Sequence, residues 1–139
     1  FQFLVDFAHN PAGLELLCDF VSKLDGEPKV GIISGTGDRR NEDIKELGKI
    51  SGRYFDEIII RQDKNLRGRT AEEIVNLLVE GIKETQPKEI PIKIIYNEKE
   101  AIMHAYNNAK PGSLITIMCD VVAEALDLIK GLKEKEDAE

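Results

Sequence analysis

Two clusters of polar residues in this chain have the types and spacing to do chemistry. The first is Asp6-x-x-His9-Asn10-Pro11, which packs a carboxylate, an imidazole and an amide into one short turn. Capping a helix needs only one such side chain, so three together point to ligand contact. The imidazole or the amide can donate to a phosphate or a base, and the carboxylate can accept from a ribose hydroxyl or a lysine. The second cluster is Gly35-Thr36-Gly37-Asp38-Arg39-Arg40. Its glycines would let the backbone approach a ligand that Asp38 and Arg39 or Arg40 then contact. A plain glycine turn, with Asp38 near a helix start and both arginines in solvent, accounts for it equally well, and the residues alone leave both readings open. Arg40 stands where a dinucleotide fingerprint needs its third glycine, and no Gly-Lys-Ser/Thr follows, so neither that fingerprint nor a phosphate-binding P-loop is present here.

The elements that must position these clusters follow from the hydrophobic pattern. Short apolar and β-branched runs at Phe3–Val5, Val30–Ser34, Glu57–Arg61, Ile92–Tyr96 and Leu114–Met118 predict strands, most of them covered on both faces. Between them lie residues at helical spacing. Leu14, Leu17, Cys18, Val21 and Leu24 follow Pro11, and Ile44, Leu47 and Ile50 mark the second helix. Ile74, Val75, Leu78 and Ile82 mark the third, with Thr70 and Glu73 as its capping box. A fourth helix is expected from about Glu98 to Ala109. A fifth carries Val122, Leu126, Ile129 and Leu132 and gives way to a charged tail from Lys133 to Glu139. Alternating β and α units predict one α/β domain over residues 1–139, a Rossmann-like three-layer fold with a mainly parallel sheet and helices on both faces. Ligands of such sheets bind beyond the carboxyl ends of the strands. Asp6, Ser34–Arg40, Arg61–Asp63, Asn97 and Asp120 all fall at that edge.

Composition narrows the classes further. The net charge of -7 disfavours a general nucleic-acid or anionic-membrane binder. Cys18 and Cys119 are far apart in apolar stretches, which predicts core packing and neither a metal nor a redox pair. No stretch resembles a signal peptide and no apolar run reaches bilayer length, so a cytoplasmic location is expected. Opening at Phe1 without Met, inside what looks like a strand, suggests a piece of a longer protein.

Taken together, these motifs resemble a known family. Val5-Asp6-Phe7-Ala8-His9-Asn10-Pro11-Ala12-Gly13-Leu14 is similar to the signature opening the C-terminal domain of Mur ligases, with Phe7 in place of the usual Tyr. Gly35 through Ile44 resembles that family's glycine-rich Gly-Asp-Arg segment. The double arginine followed by Asn41-Glu42-Asp43 looks like the cyanophycin synthetase branch. So do Phe55 through Asp63 and the following Leu66-Arg67-Gly68-Arg69. Glu98–Ile102 and Lys110–Leu114 fit the family's late helix and strand. Peptidoglycan ligases tend to carry a Gly-Lys-Gly-His-Glu-like stretch after the last strand. Here Met118-Cys119-Asp120-Val121-Val122 follows, which favours the cyanophycin-like branch.

The resemblance implies an ATP- and Mg²⁺-dependent ligase that activates a carboxylate as an acyl phosphate for attack by an amine. It implies that a central P-loop domain, absent from these residues, holds most of the nucleotide and the metal, and that this domain closes over it. Carried over, Asp6 and His9 would be catalytic, and Asp6, His9 and Asn10 would lie against the nucleotide. Gly37, Asp38, Arg39, Arg40, Arg67 and Arg69 would face the second substrate, with no metal ligand among them. In the cyanophycin branch the incoming amino acid is arginine and the acceptor an aspartate side chain of a polymer. Asp38, Asp63 or Asp120 would then suit the guanidinium. The implied partners are the central ATPase domain and the amino-acid and peptide or polymer substrates. Nucleic acid and membrane are not expected, and a homo-oligomer is left open. The isolated domain is expected to show no ligase activity. The alternative from another class is a free-standing small-ligand-binding module that kept the fold without the chemistry. A nicotinamide oxidoreductase is disfavoured by the broken glycine fingerprint.

Overall fold

A computed structural model of the 139-residue chain describes residues 1–6, 10–35, 40–62, 68–85, 89–119 and 122–138. Of the residues singled out above, His9, Gly37, Asp38, Arg39, Asp63, Arg67 and Asp120 lie outside the described residues. Among the described residues, strands and helices alternate without exception. They are β1 (Gln2–Asp6), α1 (Pro11–Ser22), β2 (Lys29–Ile33), α2 (Asn41–Tyr54), β3 (Glu57–Ile60), α3 (Ala71–Thr85), β4 (Ile92–Ile94), α4 (Glu98–Asn107), β5 (Leu114–Met118) and α5 (Val122–Ala138).

The strands form one sheet in the order β1-β5-β2-β3-β4, and every pairing is parallel. This is the Rossmann-like α/β architecture that the apolar runs predict. Alternate residues of a strand feed opposite faces. Ile58 and Ile60 join a core with Leu14, Leu47 and Leu78 of α1–α3, whereas Ile59 joins a second core with Ile102 of α4 and Ala125 of α5. The chain crosses the sheet from β1 to β4 with α1–α3 on one face, then returns to β5 with α4 on the other. Right-handed crossovers require that switch of face when the direction reverses.

Helices α2 and α3 meet backbone to backbone. A Cβ on Gly48 would sit 2.2 Å from the Leu78 carbonyl oxygen, and one on Gly81 only 2.1 Å from that of Lys45. Only glycine fits at either crossing point. Lys45 pairs with Glu80 and Glu84 across the rim of this contact, at 3.2 and 2.7 Å.

Three strands stop short of the predicted ends, at Ile33, Ile60 and Ile94. Pairing nevertheless continues in single bonds: the Arg61 N–H donates to the Ile33 carbonyl at 2.9 Å, and the Gln62 N–H to that of Tyr96 at 2.9 Å. Leu24 falls beyond α1 and packs against the core from the turn that follows. The charged tail departs furthest from expectation, because α5 continues through it to Ala138. Lys, Glu and Ala are strong helix formers, and the Tyr106 hydroxyl donates to Glu136, which ties the last turns to α4. No described helix is long and apolar enough to cross a membrane.

Candidate functional site

All five strands point their carboxyl ends to one edge. The helix after β5 lies on the face opposite to those after its neighbours β1 and β2. Adjacent strand ends that feed opposite faces leave a crevice between them, the usual ligand position in such sheets. The described polar residues divide around that crevice.

On the β1 side stand Asp6 and Asn10. Asp6 ends β1, and its carbonyl accepts from the Cys119 N–H at 3.0 Å, which joins the ends of β1 and β5. Among the described residues, no hydrogen bond or ion pair engages its carboxylate, which leaves those oxygens for a ligand. Asn10 is the N-cap of α1, with Oδ1 accepting from the Gly13 N–H at 2.7 Å and Pro11 opening the helix. The cap uses only the oxygen, so the amide group of this exposed side chain keeps two donors.

Across β5, on the β2–β3 side, stand Gly35, Arg40 and Arg69. The first glycine of the glycine-rich segment has a packing reason: a Cβ on Gly35 would lie 2.9 Å from Ile74 and 3.1 Å from Ile44. Arg40 is the N-cap of α2 and holds Asp43 with Nε and Nη2, both at 3.3 Å, and Glu42 at 3.4 Å. The hydrogen bond to Asp43, then the charges of Asp43 and Glu42, raise its pKa above the usual value. Arg69 reaches from the turn before α3 to Asn41 Oδ1 at 2.6 Å and to Glu73 at 3.2 Å. The Glu73 N–H in turn bonds the Thr70 hydroxyl at 3.1 Å, the expected N-terminal cap contact. Arg69 therefore touches the residue next to Arg40, and the two cations share one corner above α2 and α3. Parallel strands two apart are separated by roughly 10 Å, which sets the spacing between the β1 and β2 ends.

Between the two groups lies a residue that the pattern placed at this edge without giving it a role. Arg61 follows β3, with its side chain fully buried (0 % exposed) and within 3.7 Å of Glu98 Oε1. Its Nε donates to the Met118 carbonyl at 2.8 Å and Nη1 to that of Gln62 at 3.3 Å. Nothing in a lone charge at the end of an apolar run reveals partners this far along the chain. The cysteines are core residues, as expected. Both are buried and neither forms a disulfide, and burial, with a smaller effect from Glu15, pushes the Cys18 thiol up to about 12. Among the described residues, no group of three or more His, Cys, Asp or Glu could hold a metal ion.

Comparison with known proteins identifies the family. The family model described as Mur ligase, glutamate ligase domain, matches residues 1–120. Cyanophycin synthetase of Crocosphaera subtropica is 40% identical over 126 residues, covering 91% of this chain and 14% of that protein. The chain thus spans about one seventh of that relative's length. Among solved structures, a UDP-N-acetylmuramoyl-L-alanyl-D-glutamate–2,6-diaminopimelate ligase superposes with TM-score 0.77 at 19% identity, covering 95% of this chain and 30% of that one. Escherichia coli FolC, in complex with DHPP and ADP, superposes with TM-score 0.65 at 18% identity, covering 95% of this chain and 29% of that one. In sequence and in fold, the chain belongs to the Mur ligase family, as its glutamate ligase domain.

Proposed function

We propose that this domain is the closing part of an ATP-dependent, amide-bond-forming ligase of the cyanophycin synthetase type. The observation that carries the reading is the division of the carboxyl edge into two polar groups on either side of the end of β5. A ligase of this class must hold a nucleotide and an incoming amine on opposite sides of one activated carboxylate, and a split edge suits that task. On the β1 side, the Asp6 carboxylate and the Asn10 amide, with His9 between them in sequence, supply an acceptor and donors for ATP. FolC, a relative in fold, is complexed with ADP. On the other side, Arg40 and Arg69, with Gly37, Asp38, Arg39 and Arg67 in the adjoining segments, face the second substrate.

The metal and the phosphate cradle are assigned to a central ATPase domain, because the P-loop sequence that supplies them in this class is absent from these 139 residues. Closure then brings the Asp6 group to the nucleotide and excludes water from the acyl phosphate. The amine displaces phosphate from the acyl carbon, forming the amide and releasing inorganic phosphate. Arginine is the proposed incoming amino acid and an aspartate side chain of a polymer the proposed acceptor, on the 40% identity to a cyanophycin synthetase. Asp38, Asp63 or Asp120 would take the guanidinium. The reaction is assigned to the cytoplasm, where ATP is available.

Expression of the complete open reading frame that encodes this chain tests the reading. The expected result is ADP release that depends on both arginine and an aspartate-bearing primer, with one amide formed per ADP. ATP-independent binding of a small ligand without turnover would instead favour a detached binding module.

A further inference from the structure

An arginine side chain cannot shed its charge in a protein, so full burial is tolerated only where fixed partners replace water. Arg61 meets that condition at the carboxyl edge. Its Nε lies 2.8 Å from the carbonyl of Met118, the last residue of β5, although β2 separates β3 from β5 in the sheet. The side chain must therefore pass beyond the last paired residue of β2. Its own N–H is bound to the Ile33 carbonyl at 2.9 Å, so its root is fixed to β2 as well. Nη1 holds the Gln62 carbonyl at 3.3 Å, and Glu98, the first residue of α4, stands 3.7 Å from Nε. One guanidinium thus joins the end of β3, the end of β5 and the start of α4.

The link runs further, because the residue after Met118 is Cys119. Its N–H binds the Asp6 carbonyl at 3.0 Å and its Sγ lies 3.4 Å from the same oxygen. We propose that Arg61 is a positioning residue, which holds the end of β5 and, through Cys119, sets where Asp6 presents its carboxylate. The catalytic consequence rests on the ligase reading above, whereas the mechanical link does not.

Hydrogen exchange on the Arg61→Met/Glu98→Gln variant tests it, since this pair removes both charges of the buried contact together. The Cys119 amide is expected to exchange about tenfold faster or more, while the Leu114 amide, at the other end of β5, keeps its wild-type rate. Equal acceleration at both ends, or none at either, would mean that Arg61 only adds global stability, and overturns the proposal. Arg61→Lys, which keeps the charge but cannot fork between two carbonyls, is expected to fall between. In the complete open reading frame, turnover at saturating substrate should fall in the same order. Unchanged turnover alongside a fast Cys119 amide contradicts the positioning role. A wild-type enzyme without turnover would defeat the ligase reading alone, and the exchange rates would still decide the link.

Discussion

Replacing Gly81 by alanine should destabilise the domain, although the same change in an open helix stabilises it. The added Cβ would lie 2.1 Å from the Lys45 carbonyl oxygen and 2.9 Å from the Lys49 nitrogen, and both obstacles are backbone. Relief requires α2 and α3 to separate by roughly 1 Å, which loosens Leu47 and Leu78 between them. Overpacking of this kind costs about 1–3 kcal/mol, and partial loss of packing adds about 1. Alanine's better helix propensity returns about 1 kcal/mol. The net expected loss is about 1–3 kcal/mol, or roughly 3–12 °C in Tm for a domain of this size. Gly131 in α5 is the control, because nothing lies within 4 Å of its added Cβ. There alanine should gain about 0.5–1 kcal/mol. Urea unfolding at constant m would read both changes. If Gly81→Ala is as stable as the parent, the close backbone crossing is refuted. The crossing matters to function because α2 and α3 carry Arg40 and Arg69 at their starts, joined through Asn41 at 2.6 Å.

Asn10→Asp keeps the helix cap and removes the amide donors, so it should leave the unfolding midpoint within about 0.5 kcal/mol while lowering nucleotide affinity, whereas Asn10→Ala should also cost about 1 kcal/mol. Titration calorimetry beside urea unfolding separates the two effects. The Cys18 thiol, pushed up to about 12, should resist a disulfide reagent at pH 8 in the native chain and react once the chain is unfolded. The Tyr106 phenol is raised to about 12, first by its hydrogen bond to Glu136 and then by burial. The folded state therefore holds that proton more tightly, and the stabilisation is complete below the ordinary tyrosine range and lost as pH rises toward 12. Tyr106→Phe should remove the late-ionising component from the ultraviolet titration.

Much of the fold was legible because its strands are buried on both faces. Ile58-Ile59-Ile60 and Ile115-Thr116-Ile117 read as strands by composition alone, since each face has a helix to cover it. At β4 the signal was weaker, for Lys93 and Ile94 are exposed at the sheet edge and the strand is short. The end of α5 was misread because Lys and Glu in alternation look like a solvated tail, although they favour helix where Tyr106 can anchor a turn. For the site, local chemistry was readable and distant partnership was not. Asn10 announced a cap by standing before Pro11, and the structure shows the cap without consuming the amide. Gly35 could have served a ligand or a neighbour, and only packing against Ile74 and Ile44 supplies its structural reason. Arg61 gave no local signal, since its partners Glu98 and Met118 meet it only after the chain has doubled back to β5.

The most direct test of the central claim is turnover by the complete open reading frame carrying Asp6→Asn. Among the described residues the Asp6 carboxylate makes no hydrogen bond or ion pair, so an isosteric amide should leave stability within about 0.5 kcal/mol. If the carboxyl edge completes an ATP-dependent ligase, amide formation should fall roughly a hundredfold or more with the unfolding midpoint unchanged. Full turnover by that variant would contradict the assignment of this edge to the reaction.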